Sequence, residues 1–200
     1  MATQASKMWF AELNGMPASL EDLFTGKPNS VDIDLTHCCP FKCPGCIERQ
    51  AMSATCHGEL SARTVYSIME SFAAQGGVEC RFYGGEPTYH PHFPELLRAA
   101  SDRFKQMRVV SNGSMLHQER IQQAVEYAGR KADLRIRVSL NAGRADTHAQ
   151  LHGVDMGFWD NILDGLDAIS GACHSEVSYL AENENAFEIP NAFEIACQVK

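Results

Sequence analysis

Val31, Ile33 and Leu35 alternate with Asp32 and Asp34, the period of a strand with one buried face, and the alternation stops at a loop rich in cysteine. The same switch between strand and helix periods recurs down the chain. Ser61 is placed to cap a helix that carries Val65, Ile68, Met69 and Phe72 on one face and stops at Gly76-Gly77. Residues 78–83 predict a second strand, and residues 91–104 a helix with Phe93, Leu96, Leu97 and Ala100 inward. A third strand is expected over residues 107–110, followed by a helix using Ile121, Val125 and Tyr127 that ends near Gly129. Residues 134–140 alternate cleanly as a fourth strand, and residues 158–169 place Ile162, Leu163, Leu166 and Ile169 on one helical face. A short fifth strand over residues 176–180 leads to a loop and helix beginning at Asn183 or Asn185.

Strands alternating with helices predict an α/β fold with a parallel sheet, because parallel neighbours need crossover connections. Curved, such a sheet is a partial (β/α) TIM-like barrel of about five βα units, with its active site at the carboxyl ends of the strands. Residues 31–200 form this core. Residues 1–30 form an N-terminal extension whose apolar groups, Met8, Trp9, Phe10 and Leu13, then Leu20, Leu23 and Phe24, suggest short amphipathic pieces covering the bottom or side of the core.

The chain has 200 residues, 44% hydrophobic and 21% charged, which suits one globular core. A formal net charge of -8 argues against a nucleic-acid partner gripped through phosphates. The densest basic group, Arg130, Lys131, Arg135 and Arg137, straddles a turn and a strand and reads as a solvated face. No apolar run approaches the roughly 20 residues needed to span a bilayer, and no secretory signal is evident, so a cytoplasmic protein without a membrane partner is expected. Cys56, Cys80, Cys173 and Cys197 are scattered singly and form no disulfide framework.

The loop after the first strand holds Cys38, Cys39, Cys43 and Cys46. Cys39, Cys43 and Cys46 have C-x3-C-x2-C spacing, and Pro40, Pro44 and Gly45 between them favour a loop that wraps a ligand. A closed zinc site would need a fourth ligand, which His37, Cys38, Cys56 or His57 could supply. An iron–sulfur cube held by three cysteines would leave one iron open to a small molecule.

This C-x3-C-x2-C loop, followed by Gly84-Gly85-Glu86-Pro87 after the second strand, resembles the radical S-adenosylmethionine (radical SAM) superfamily. The resemblance implies that Cys39, Cys43 and Cys46 hold a [4Fe-4S] cluster and that S-adenosylmethionine chelates the fourth iron. It further implies that an external electron donor drives reductive cleavage to a 5'-deoxyadenosyl radical, which abstracts hydrogen from a substrate. Gly84, Gly85 and Glu86 would hold the methionine part of S-adenosylmethionine, although Gly-Gly alone also serves a plain turn. Ser111-Asn112-Gly113 stands where the family often has Thr-Asn-Gly, bringing Asn112 toward the cofactor or simply making a turn. Ser139 and Asn141 would meet the ribose or the carboxylate. Asn185, before Glu188-Ile189-Pro190, would lie near the adenosine or cap a helix.

Departures from the family pattern qualify this reading. Gly45 replaces the usual aromatic residue before the third cysteine, so shielding of the cluster would fall to Phe41. Cys38 reads as a spare thiol. His152 stands where an Arg commonly precedes the Gly of a family segment, and His148 with His152 reads as a polar surface pair. Family barrels usually have six units, and the sixth is absent here, which gives the expectation of a fragment or of a partner over the open edge. The substrate is unknown, with a peptide or small molecule favoured by the acidic composition. The rivals are a zinc-binding interaction module and a cluster-binding barrel without turnover.

Overall fold

The computed structural model describes residues 29–46 and 58–198. The N-terminal extension, apart from its last residues, and the candidate zinc ligands Cys56 and His57 lie outside the described residues. Among the described residues five strands form one sheet: β1 (Ser30–Thr36), β2 (Glu79–Gly84), β3 (Gln106–Ser111), β4 (Asp133–Ser139) and β5 (His174–Ser178). Every neighbouring pair is parallel and the order is β1-β2-β3-β4-β5. An order that never reverses is that of an opened barrel, with no switch point in the middle of the sheet. The expected partial barrel of five βα units is what the chain forms.

Five of the helices follow the predicted pattern with shifted ends, and the one over residues 145–152 is an element the sequence reading does not predict. Among the described residues they are α1 (Ala62–Ala74), α2 (Phe93–Ser101), α3 (Glu119–Gly129), α4 (Ala145–His152), α5 (Gly157–Ile169) and α6 (Ile189–Gln198). Ser61 caps α1 as expected, its hydroxyl accepting from Thr64 N at 3.1 Å. On α3 the core is filled by Ile121, Ala124, Val125 and Ala128, while Tyr127 sits at the margin and its hydroxyl donates to Asp102. None of the described helices is long and apolar enough to cross a membrane.

Strand alternation separates two faces. Ile33, Leu35, Cys80, Phe82, Met107, Val109, Leu134, Ile136 and Val138 are buried under the helices. Each large member of this set contributes roughly 1.5–3 kcal/mol by leaving water. With Val110 an apolar exception near the rim, the intervening positions on the other face are mostly polar. There Arg81 pairs with Glu79 at 2.6 Å and Arg137 with Glu176 at 2.9 Å, so the basic residues of the strands stand in ion pairs rather than in a free patch. Ligand-sized space is concentrated where the strands end.

Candidate active site

Three segments meet around the cysteine loop. Gly85 N donates to Thr36 O at 2.7 Å and Glu86 N to Cys38 O at 2.8 Å, joining the loop after β1 to the one after β2. Gly84 has φ +121, and a Cβ there would lie 2.4 Å from Thr36 O. At Gly85 a Cβ would lie 2.7 Å from the carbonyl oxygens of both His37 and Cys38. The glycine pair is thus demanded by the approach of two backbones. On the other side, Lys42 N donates to His152 O at 2.8 Å, seating the loop on the end of α4.

Cys39, Cys43 and Cys46 share the wall of one cavity of about 540 Å³ at the carboxyl rim of the sheet. Of the other residues singled out by sequence, Gly84, Gly85, Asn112, Ser139, Asn141 and Asn185 also line it. Among the described residues no three His, Cys, Asp or Glu side chains converge as one metal ion would require. The three thiols line one space large enough for a group of several atoms. Burial pushes the Cys39 thiol up to about 12, the Phe41 backbone N–H and the Asn112 amide acting in the opposite sense, so metal binding has to displace a proton.

Glu86 does not line the cavity. Its carboxylate is fully buried behind the wall and accepts from Thr88 N, Thr88 Oγ1 and Ser111 Oγ on one oxygen and from Asn112 N at 2.6 Å on the other. Burial raises its pKa, and these four donors lower it again in part. Its place is that of a clamp between the ends of β2 and β3. Asn112, so held, directs its amide Nδ2 to the Cys39 sulfur at 3.5 Å and accepts from Ser114 N through Oδ1.

Asn141 and Asn185 tie loops together. Asn141, at φ 55, accepts from Leu180 N at 2.8 Å. Asn185 is buried, donates to the carbonyls of Asn141 and Leu180, each at 2.8 Å, and accepts from Glu182 N. Both side-chain groups of Asn185, and the Oδ1 of Asn141, are thereby engaged in bracing the loops after β4 and β5. Ser139, beside Ser178 across the β4–β5 pairing, stays at the cavity wall.

The histidines depart from expectation. His148 and His152 are not a surface pair: His148 is 0% and His152 5% exposed, with ring centroids 4.5 Å apart. The ring of Phe41 lies over them at 5.6 and 5.2 Å, and Trp159 stands 5.5 Å from His148. A helix beneath the cysteine loop, rather than on the outside, turns their shared i, i+4 face inward. His152 Nδ1 stands 2.9 Å from Cys43 Sγ, and Nε2 stands 3.4 Å from Leu140 O. The sequence contains one signal for this contact, the His in place of an Arg before Gly153. Tyr83, Gln150, Glu182 and Glu184 also line the cavity and carry no motif.

Residues 33–190 match the family described as the Radical SAM superfamily. The chain is similar to GTP 3',8-cyclase of Pelotomaculum thermopropionicum, 29% identical over 154 residues that cover 74% of this chain and 46% of the relative. It is also similar to PqqA peptide cyclase of Rhodopseudomonas palustris, 26% identical over 183 residues that cover 86% of this chain and 44% of the relative. The chain thus spans less than half the length of these two curated relatives. In fold it resembles Streptococcus suis SuiB, solved bound to S-adenosylmethionine, with a TM-score of 0.70 at 15% identity over 86% of this chain and 38% of SuiB. The match runs from within β1 through the cysteine loop and the other four strands to the start of α6, and by it the chain belongs to the radical SAM superfamily.

Proposed function

We propose that this chain is the core of an enzyme that binds a [4Fe-4S] cluster through Cys39, Cys43 and Cys46 and cleaves S-adenosylmethionine reductively. The observation that carries the reading is the shared cavity: three thiols on one wall, and the Gly84-Gly85 backbone, Ser139 and Asn141 on the others. When bound, the cluster and S-adenosylmethionine, supplied with one electron from an external donor, would provide the 5'-deoxyadenosyl radical for hydrogen abstraction.

The residues of the chain orient and enclose. The close join of the cysteine loop to Gly85 and Glu86 fixes the thiols relative to the ends of β1 and β2. Asn112 presents an N–H to one sulfur, and Ser139 offers a hydroxyl at the end of β4 for the ribose or the carboxylate. The two asparagine ties hold the outer wall in place. Phe41 closes the floor.

A peptide or small-molecule substrate is favoured. The acidic chain and the presence of a peptide cyclase among its relatives support this class. Iron and sulfide analysis with low-temperature electron paramagnetic resonance tests the reading on anaerobically reconstituted, dithionite-reduced protein. A [4Fe-4S] signal that changes when S-adenosylmethionine is added is the expected result. Zinc in place of iron would overturn it in favour of an interaction module. A cluster signal with no 5'-deoxyadenosine formed under reducing conditions would reduce the function to cluster binding without turnover.

A further inference from the structure

We propose that His152 is a positioning residue that donates a hydrogen bond from Nδ1 to the Cys43 sulfur when that sulfur holds iron, and so raises the reduction potential of the cluster. The inference rests on the cluster reading above and adds to it a residue of this chain outside its cysteine and glycine motifs.

The geometry fixes both partners. His152 Nδ1 lies 2.9 Å from Cys43 Sγ. The backbone of the same residue accepts from Lys42 N at 2.8 Å, one position before Cys43. Its ring is held between Phe41, at 5.2 Å, and His148, at 4.5 Å, and is almost wholly out of water. The imidazole therefore has little room to turn away from the sulfur.

A neutral imidazole carries one N–H, on Nδ1 or on Nε2. Opposite Nε2 stands a neutral carbonyl, Leu140 O, at 3.4 Å. Opposite Nδ1, once iron is bound, stands a thiolate at the shorter distance. A charged acceptor makes the stronger bond, so the proton belongs on Nδ1 and points at the sulfur. Hydrogen bonds to the sulfurs are among the terms that set the potential of an iron–sulfur cluster. Reduction adds negative charge, so the donor stabilises the reduced form more than the oxidised one.

The test is the midpoint potential of the reconstituted chain, followed by electron paramagnetic resonance without S-adenosylmethionine. It compares wild type, His152→Leu, His152→Phe and His152→Asn, with iron content and circular dichroism measured on each. Leu and Phe remove the donor with different shapes, so misfolding of one leaves the other to decide. Asn keeps an N–H near the position of Nδ1. The expected result is a reduction equilibrium about tenfold less favourable in Leu and Phe, which is about 59 mV lower for one electron, with Asn restored toward wild type. Unmoved potentials in Leu and Phe would overturn the proposal. So would an equal fall in Asn, which would assign His152 to packing under Phe41. Wild-type protein that takes up no iron would instead remove the cluster reading itself, and this proposal with it.

Discussion

Glu86→Gln tests whether the buried carboxylate clamps the site. The substitution keeps the shape and removes one acceptor. In the wild type Asn112 N meets one oxygen at 2.6 Å and Thr88 N meets the other at 3.1 Å, and both donors are backbone groups that cannot rotate away. Whichever way the amide is turned, its NH2 faces one of them. An unsatisfied buried N–H costs about 1–3 kcal/mol, and a net loss of about that size is expected. Glu86→Ala leaves four donors without the carboxylate and should cost about 3–5 kcal/mol. The pH dependence gives a second readout. Because burial raises the folded pKa above its ordinary value of 4.5, the native state binds more protons than the unfolded state in that interval. The contribution is present below 4.5 and is lost as pH rises through the folded pKa, so the gap between wild type and Gln should narrow with rising pH. Urea unfolding at several pH values measures both. A Gln variant as stable as wild type across the range would refute the clamp.

Gly85→Ala forces a Cβ to within 2.7 Å of two backbone carbonyl oxygens, and relief requires the cysteine loop to move. A loss of about 1–3 kcal/mol in urea and lower iron uptake on reconstitution are expected. Nothing lies within 4 Å of a Cβ built on Gly45, so Gly45→Tyr should fold within about 0.5 kcal/mol of wild type. If Gly45 leaves the cluster open, that variant should also retain its cluster absorbance longer in air, and equal decay would count against the idea. Burial, with the neighbouring His152 second, holds the His148 imidazole down at about 3 against the ordinary 6.5. The unfolded chain therefore binds a proton that the native chain refuses as pH falls below 6.5, and about 2 kcal/mol should be lost by about pH 5. His148→Phe should remove that loss, and an unchanged acid slope would refute the burial argument.

The strands and most helices could be read because each carries its own local period. Val31, Ile33 and Leu35 declare a buried face whatever lies around them, and Ser61 declares a helix start. The cysteine spacing and the glycine pair are similarly local, since a loop that must wrap a ligand and a backbone that must approach another leave marks within a few residues. The histidine pair leaves no such local mark. His148 and His152 share one helical face, but whether that face meets water or the cysteine loop depends on contacts 109 residues apart in sequence, between His152 and Cys43. Their polar side chains favoured solvent in any local reading. Glu86 and Asn112 belong to the same class: the motif marks both positions, yet the 2.6 Å bond between them is made only when β2 and β3 lie side by side. The Phe41 N–H that meets Cys39 is supplied by the loop itself, but the side chains that meet the sulfurs, Asn112 at Cys39 and His152 at Cys43, come from the loop after β3 and from α4. A rim built from five successive strand ends brings such distant segments to one loop, so the ligands can be read from the chain while their hydrogen-bond partners come from the fold.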